Sequence, residues 1–158
     1  MGYAINAQGG WRAINSEADL LPGETFSLTE PAQTIVQEQS AQIAALGQAC
    51  QAAIVSGFPS SVLGSAHQYP SQLTDQQNLL AAVAAANGAA SGWQTQLWCA
   101  SGGVWAFTEH SAAQVQQVNT DWVAFRTKLQ AQYAALVAKI NAANTVAAVQ
   151  AITWSMPS

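Results

Sequence analysis

The strongest hydrophobic rhythm in this chain lies near its end. Val115, Val118, Trp122, Phe125 and Leu129 recur at alternating spacings of three and four, the seam of an amphipathic helix that packs on a neighbour. Tyr133, Leu136 and Ile140 continue it after a slip of one residue, as at a stutter. Ser111 with Gln114 three residues on is a capping box, and Asn144-Thr145 breaks the pattern. This predicts a long helix of about 33 residues, roughly 50 Å at the helical rise, and a short returning helix over Val146 to Ile152. The five seam positions are its candidate core or helix-contact residues. A second, Ala-diluted stripe of Ile35, Ile43, Leu46, Cys50 and Ile54 predicts a helix from Ala32 to Ser56. Thr29 is its N-cap and Gly57 its stop. Thr74 with Gln77 opens a third helix that faces Leu79, Leu80 and Val83 inward and ends at Asn87-Gly88.

Two stretches carry strand chemistry instead. Tyr3–Asn6 and Trp11–Ile14 flank Gln8-Gly9-Gly10, a small N-terminal hairpin. Residues 93–108 form a second, Trp-rich hairpin with its turn at Ala100-Ser101-Gly102-Gly103. Residues 16–31 read as an acidic loop around Pro22-Gly23, and Ser61 to Tyr69 as a short extended piece closed by Pro70. The fold class is α+β: an N-terminal hairpin, helices around the Trp-rich hairpin, and the long C-terminal helix with its short return. The expected organisation is a docking segment over 1–31, a connecting helix over 32–57 and an α+β domain over 58–158.

Composition changes this picture at the surface. Of the 158 residues, 50% are hydrophobic and 8% charged, where a globular domain has about 25% charged residues. That much apolar content excludes disorder. Four basic residues and a net charge of -4 speak against nucleic acid as a partner. No apolar run approaches the roughly 20 residues of a spanning helix, so membrane insertion is not expected. The first six residues have neither the basic nor the apolar region of a signal peptide. Five acids crowd residues 1–38, whereas 39–74 and 76–108 hold no charge at all. An uncharged surface promotes association, so a homo-oligomer or a place in a larger assembly is expected.

The catalytic inventory is thin. Cys50 and Cys99 read as two buried thiols in apolar surroundings, with a single disulfide as the alternative, and with His67 and His110 they lack the spacing of a zinc site. Glu109-His110 and Cys99 have no electropositive setting to make a nucleophile. Asp75 suits a helix start, and His67 is a half-buried hydrogen-bonding residue. No catalytic, cofactor-binding or metal residue is assigned, and no enzyme activity is expected. Trp98 and Trp105 face each other across the hairpin and read as core. The candidate partner interface is Tyr3, Trp11 and Trp154, aromatics near the chain ends.

From about Phe58 to Trp154 the chain resembles a small domain at the C-terminal ends of bacteriophage tail-fibre and tail-fibre-assembly proteins, a domain of unknown function. The matching residues are Tyr69-Pro70, Gln76-Gln77-Asn78-Leu79, Trp98-Cys99-Ala100, Ala106-Phe107-Thr108, Ile140-Asn141-Ala142-Ala143-Asn144 and the closing Val149, Ile152 and Trp154. Gly10-Trp11-Arg12-Ala13-Ile14-Asn15 and Pro22-Gly23-Glu24-Thr25-Phe26 are similar to the openings of small phage tail-locus proteins. The resemblance implies a non-enzymatic tail protein, made in the bacterial cytoplasm and carried in the virion, with tail or tail-fibre proteins as partners. The alternative it leaves open is a tail-fibre assembly chaperone. It transfers no functional residues.

Overall fold

In the computed structural model, which describes residues 1–7, 9–31 and 34–157, the α+β class holds. Strands β1 (Gly2–Ile5), β2 (Trp11–Ile14) and β3 (Thr25–Ser27) precede helix α1 (Ile35–Ile54). Strands β4 (Phe58–Ser60) and β5 (His67–Tyr69), helix α2 (Leu73–Ala86), and strands β6 (Gln94–Ser101) and β7 (Val104–Ser111) follow. Helices α3 (Ala112–Ala142) and α4 (Val146–Gln150) close the chain. Two compact units divide these elements: residues 1–43 with 140–152, and residues 44–139 with 153–158. The cuts read from the sequence at 31 and 57 do not coincide with this division, because α1 and α3 each contribute residues to both units.

The first unit holds a three-stranded antiparallel sheet in the order β2-β1-β3. β3 lies in the stretch expected to be loop. Its three residues are too few to show a period of two, and Phe26 pairs opposite Ala4. Ala4 and Ile14 are buried from this sheet. The acidic segment is held in place by its own charges. Arg12 grips Glu24 through two nitrogens, at 3.2 and 2.8 Å, and donates to the Asp19 carbonyl at 2.7 Å. The Arg12 guanidinium keeps the Glu24 carboxyl below the usual carboxylate range. Gln39 donates to the carbonyls of Ile140 and Ala143, and Gln42 to that of Ile152. Amides thus cap the carbonyl end of α3 and its return, where a lysine or arginine is the commoner choice.

Several element starts differ from their expected caps. α1 is capped by Thr34 and not Thr29: Thr34 Oγ1 accepts from the Gln37 amide while Gln37 Oε1 accepts from the Thr34 amide. This is the reciprocal box T-x-x-Q. Ala32, the expected first helical residue, and Gln8, in the expected hairpin turn, lie outside the described residues. α2 starts at Leu73, and Asp75, not Gln77, closes its box by accepting from the Gln72 amide at 3.0 Å. α3 opens on Ser111 and Gln114 as expected, with both reciprocal bonds present.

The second unit is built on a four-stranded antiparallel sheet in the order β4-β5-β6-β7. The expected extended piece over 61–69 is a turn and a strand: β4 and β5 form a small hairpin, with Gly64 bonded back to Ser61. Phe58, Tyr69, Leu79, Cys99, Val118 and Trp122 make one buried cluster. Cys50, Ala53 and Leu129 make another, flanked by Phe125, Tyr133 and Trp154. Within the first cluster Phe58 stacks on Tyr69 at 5.5 Å and is tilted against Trp122 at 5.3 Å. Burying a side chain of this size contributes about 1.5–3 kcal/mol. Both cysteines are buried and free. Leu80, expected to face inward with Leu79, is 66% exposed. A leucine next to a core leucine lies about 100° round the helix, so the two cannot share a narrow stripe.

Candidate functional site: an aromatic face and a strand-edge cleft

Gly102 and Gly103 carry φ of 56° and 84°, the pair of positive values that a type I′ loop requires. They set the register of β6 and β7, which runs from Ser101 opposite Val104 to Gln94 opposite Ser111. The hairpin is therefore longer than expected, by three residues at its end. Its two faces follow from the pleat. Thr95, Leu97, Cys99 and His110 share one face, with Cys99 and His110 fully buried. Gln96, Trp98, Trp105, Phe107 and Glu109 share the other.

Trp98 and Trp105 are therefore not core, contrary to expectation. They stand 43% and 42% exposed, beside Phe107 at 64%. The two indoles stack with centroids 6.2 Å apart, and Phe107 lies 4.8 Å from Trp98. The rings cover one another instead of being covered by another element. A surface of three such rings is the kind of apolar patch that marks a contact site.

Backbone geometry adds a second feature beside it. A two-residue loop closes on a hydrogen-bonded pair, and hydrogen-bonded and non-bonded pairs alternate from there along the ladder. Ala100, Trp98 and Gln96 thus direct their N–H and C=O groups away from β7. Ala100 meets Gln68 of β5. Pairing then stops, because β5 ends at Tyr69 and Pro70 turns the chain away. The edge groups of Trp98 and Gln96 border a cleft of about 370 Å³ between β6 and α2. Phe58, Leu79 and Val118 give it an apolar floor, Asp75, Asn78 and Ala82 form the α2 wall, and Trp98 and Phe107 stand at its rim. This volume lies within the ordinary range of ligand sites.

A buried polar pair sits next to the cleft. His110 Nδ1 lies 2.8 Å from the Thr108 carbonyl, which can only accept, so Nδ1 carries the proton. Nε2 is then the acceptor for the Tyr69 hydroxyl at 2.7 Å. Burial lowers the His110 pKa, the Thr108 bond raises it and the charge of His67 lowers it further. Burial pushes the Tyr69 hydroxyl well above its usual range, and Cys99 and Asp121 push it the same way. The pair satisfies its own polar groups, and Cys99 is buried in the same cluster as Tyr69. Among the described residues no group of three His, Cys, Asp or Glu is placed to hold a metal ion.

This pair predicts a pH dependence. The folded chain keeps His110 neutral where the unfolded chain protonates it, so the unfolded state binds more protons as pH falls. Stability is expected to decline below about pH 6.5, the ordinary histidine value. At the other end the unfolded chain ionises Tyr69 near pH 10 while the folded chain does not, so stability also declines above about pH 10. Melting temperature measured from pH 5 to 11 checks both limbs. A flat profile between pH 7 and 5 would show His110 open to solvent.

The residues singled out from the sequence are placed as follows. Val115, Val118, Trp122 and Leu129 are buried, and Phe125 is half-buried against both clusters. Tyr3 and Trp11 are half-buried and meet edge to face at 5.2 Å, with the Tyr3 hydroxyl on Glu30. Trp154 is half-buried against Cys50, Ala53 and Leu129. His67 is half-buried, with Nδ1 2.9 Å from the Ser65 carbonyl. The exposed aromatic face and the free edge of β6 were not identified from sequence. The signal existed: Gln96 and Glu109 fall on the same face as both tryptophans once the loop register is known.

A protein-family model described as a domain of unknown function, DUF4376, matches residues 37–153. No curated protein and no solved structure matches the chain.

Proposed function

We propose that this chain, which belongs to the DUF4376 family of unknown function, is a non-enzymatic bacteriophage tail protein, a structural component at or near the tail fibre. The exposed Trp98, Trp105 and Phe107 face carries the reading. It lies in the charge-free stretch 76–108, between Asp75 and Glu109, so a partner that covers it strips water from few charges. Aromatic side chains of this kind anchor protein contacts. The partners on this reading are tail or tail-fibre proteins, and the protein works in the virion as part of a larger assembly. The sequence resemblance to tail-fibre-associated domains supports the same conclusion.

The free edge of β6 favours a second reading, a tail-fibre assembly chaperone that holds an extended segment of the fibre while it folds. Purified phage particles discriminate between them by mass spectrometry. The chain at a fixed ratio to the fibre is the result expected of a structural component. Its absence from particles, with fibres that misfold when the gene is deleted, would overturn that reading in favour of the chaperone.

A further inference from the structure

We infer that the cleft between β6 and α2 binds one extended polypeptide segment, which adds as a strand to the free edge of β6. The inference rests on the protein-binding reading above and names the chemistry of what is bound. Gln96 and Trp98 offer backbone donors and acceptors two residues apart along an edge, the spacing at which an extended chain presents its own. A compact ligand satisfies one such set, whereas a strand satisfies both in series. Where pairing with β5 stops after Ala100, the incoming segment continues the ladder.

The walls specify the segment. Successive side chains of a strand point to opposite faces. Alternate residues of the segment enter the cleft, where Leu79, Phe58 and Val118 select an apolar side chain. The intervening residues lie on the same face as Trp98 and Phe107, where flat or long aliphatic side chains stack. Asp75 on the α2 wall puts a carboxylate at the cleft, which favours lysine or arginine and disfavours an acidic segment. The occupant is a single segment and not the sheet edge of a second copy. The α2 wall closes the far side, and a folded sheet needs the next strand about 4.8 Å further on.

The test is to pan a random dodecapeptide library against the intact chain, with counter-selection against Ala82→Trp, which fills the cleft from α2. Selected peptides are expected to alternate apolar with aromatic or basic residues. They should slow hydrogen exchange of the Gln96 and Trp98 amides. Methylating the peptide nitrogens that face β6 should weaken binding about tenfold or more, the cost of lost backbone bonds, while methylating the opposite set should not. The methylation comparison stands even if Ala82→Trp fails to fold. Peptides insensitive to methylation, peptides that protect Phe107 and Glu109 instead, or a library yielding none that Ala82→Trp rejects would each overturn the inference. Failure of the tail-protein reading looks different: peptides would bind the edge as described, yet the chain would be absent from particles and without effect on their fibres.

Discussion

Phe58→Ala and Trp122→Ala are each expected to destabilise the chain by about 3–5 kcal/mol, the range for truncating a buried aromatic side chain. Phe58 is 1% exposed and Trp122 5%, and their rings meet at 5.3 Å. Each also contacts Phe125 at just over 6 Å, so removing either leaves a cavity whose other walls are aromatic and slow to collapse. The two losses should not add, because the residues share a cavity. Trp105→Ala is the contrast: it takes away a ring exposed on the sheet face and should change stability by less than about 1 kcal/mol. Denaturant unfolding of the three variants checks the set. A costly Trp105→Ala with a cheap Trp122→Ala would exchange the assignments of core and contact face.

Gly57→Ala is the second substitution with a large expected effect, about 2–5 kcal/mol from a strained positive φ together with an overpacked contact. Gly57 has φ of 98°, and a Cβ there would stand 2.8 Å from the Tyr69 carbonyl. That carbonyl belongs to the backbone of β5, paired residue by residue with β4, so it cannot swing aside. The turn is fixed from the other side as well. Ser71 Oγ accepts from the Gly57 amide and donates to the Ile54 carbonyl, and Gln72 donates to the Val55 carbonyl. Equilibrium unfolding measures the cost. A Gly57→Ala chain within about 0.5 kcal/mol of the parent, the usual scatter of surface changes, would mean that the turn relaxes freely.

The helices were legible in the sequence because their information is local. The three-four rhythm from Val115 to Leu129 and the box at Ser111 and Gln114 are both carried by neighbours within a turn. The starts of α1 and α2 were misread for a related reason: several Ser, Thr, Asp and Gln residues precede each helix, and only the backbone decides which one bends back. The strands were harder. β3, β4 and β5 are three residues each, too short for alternation to register. The candidate site was missed through an assumption about tryptophan. A large aromatic residue is usually core, and that prior outweighed the period-two pattern putting Trp98 and Trp105 on the face of Gln96 and Glu109. The free edge of β6 was not legible at all. It depends on where β5 stops, which is a fact about pairing between segments far apart in the chain.

The way α1 and α3 are shared has a consequence for how the protein is made. The first unit needs residues 1–43 and residues 140–152 together. Gln39 reaches its carbonyl partner across 101 positions of chain, and Gln42 across 110. Synthesis runs from the N-terminus at roughly 5–20 residues per second, so the first sheet waits many seconds before the helix end it works with has been translated. The second unit waits too, since Trp154 packs against Cys50, Ala53 and Leu129. Folding to the native state therefore follows synthesis of the segment from residue 140 to Trp154. A premature stop before residue 140 leaves both units incomplete instead of leaving one intact.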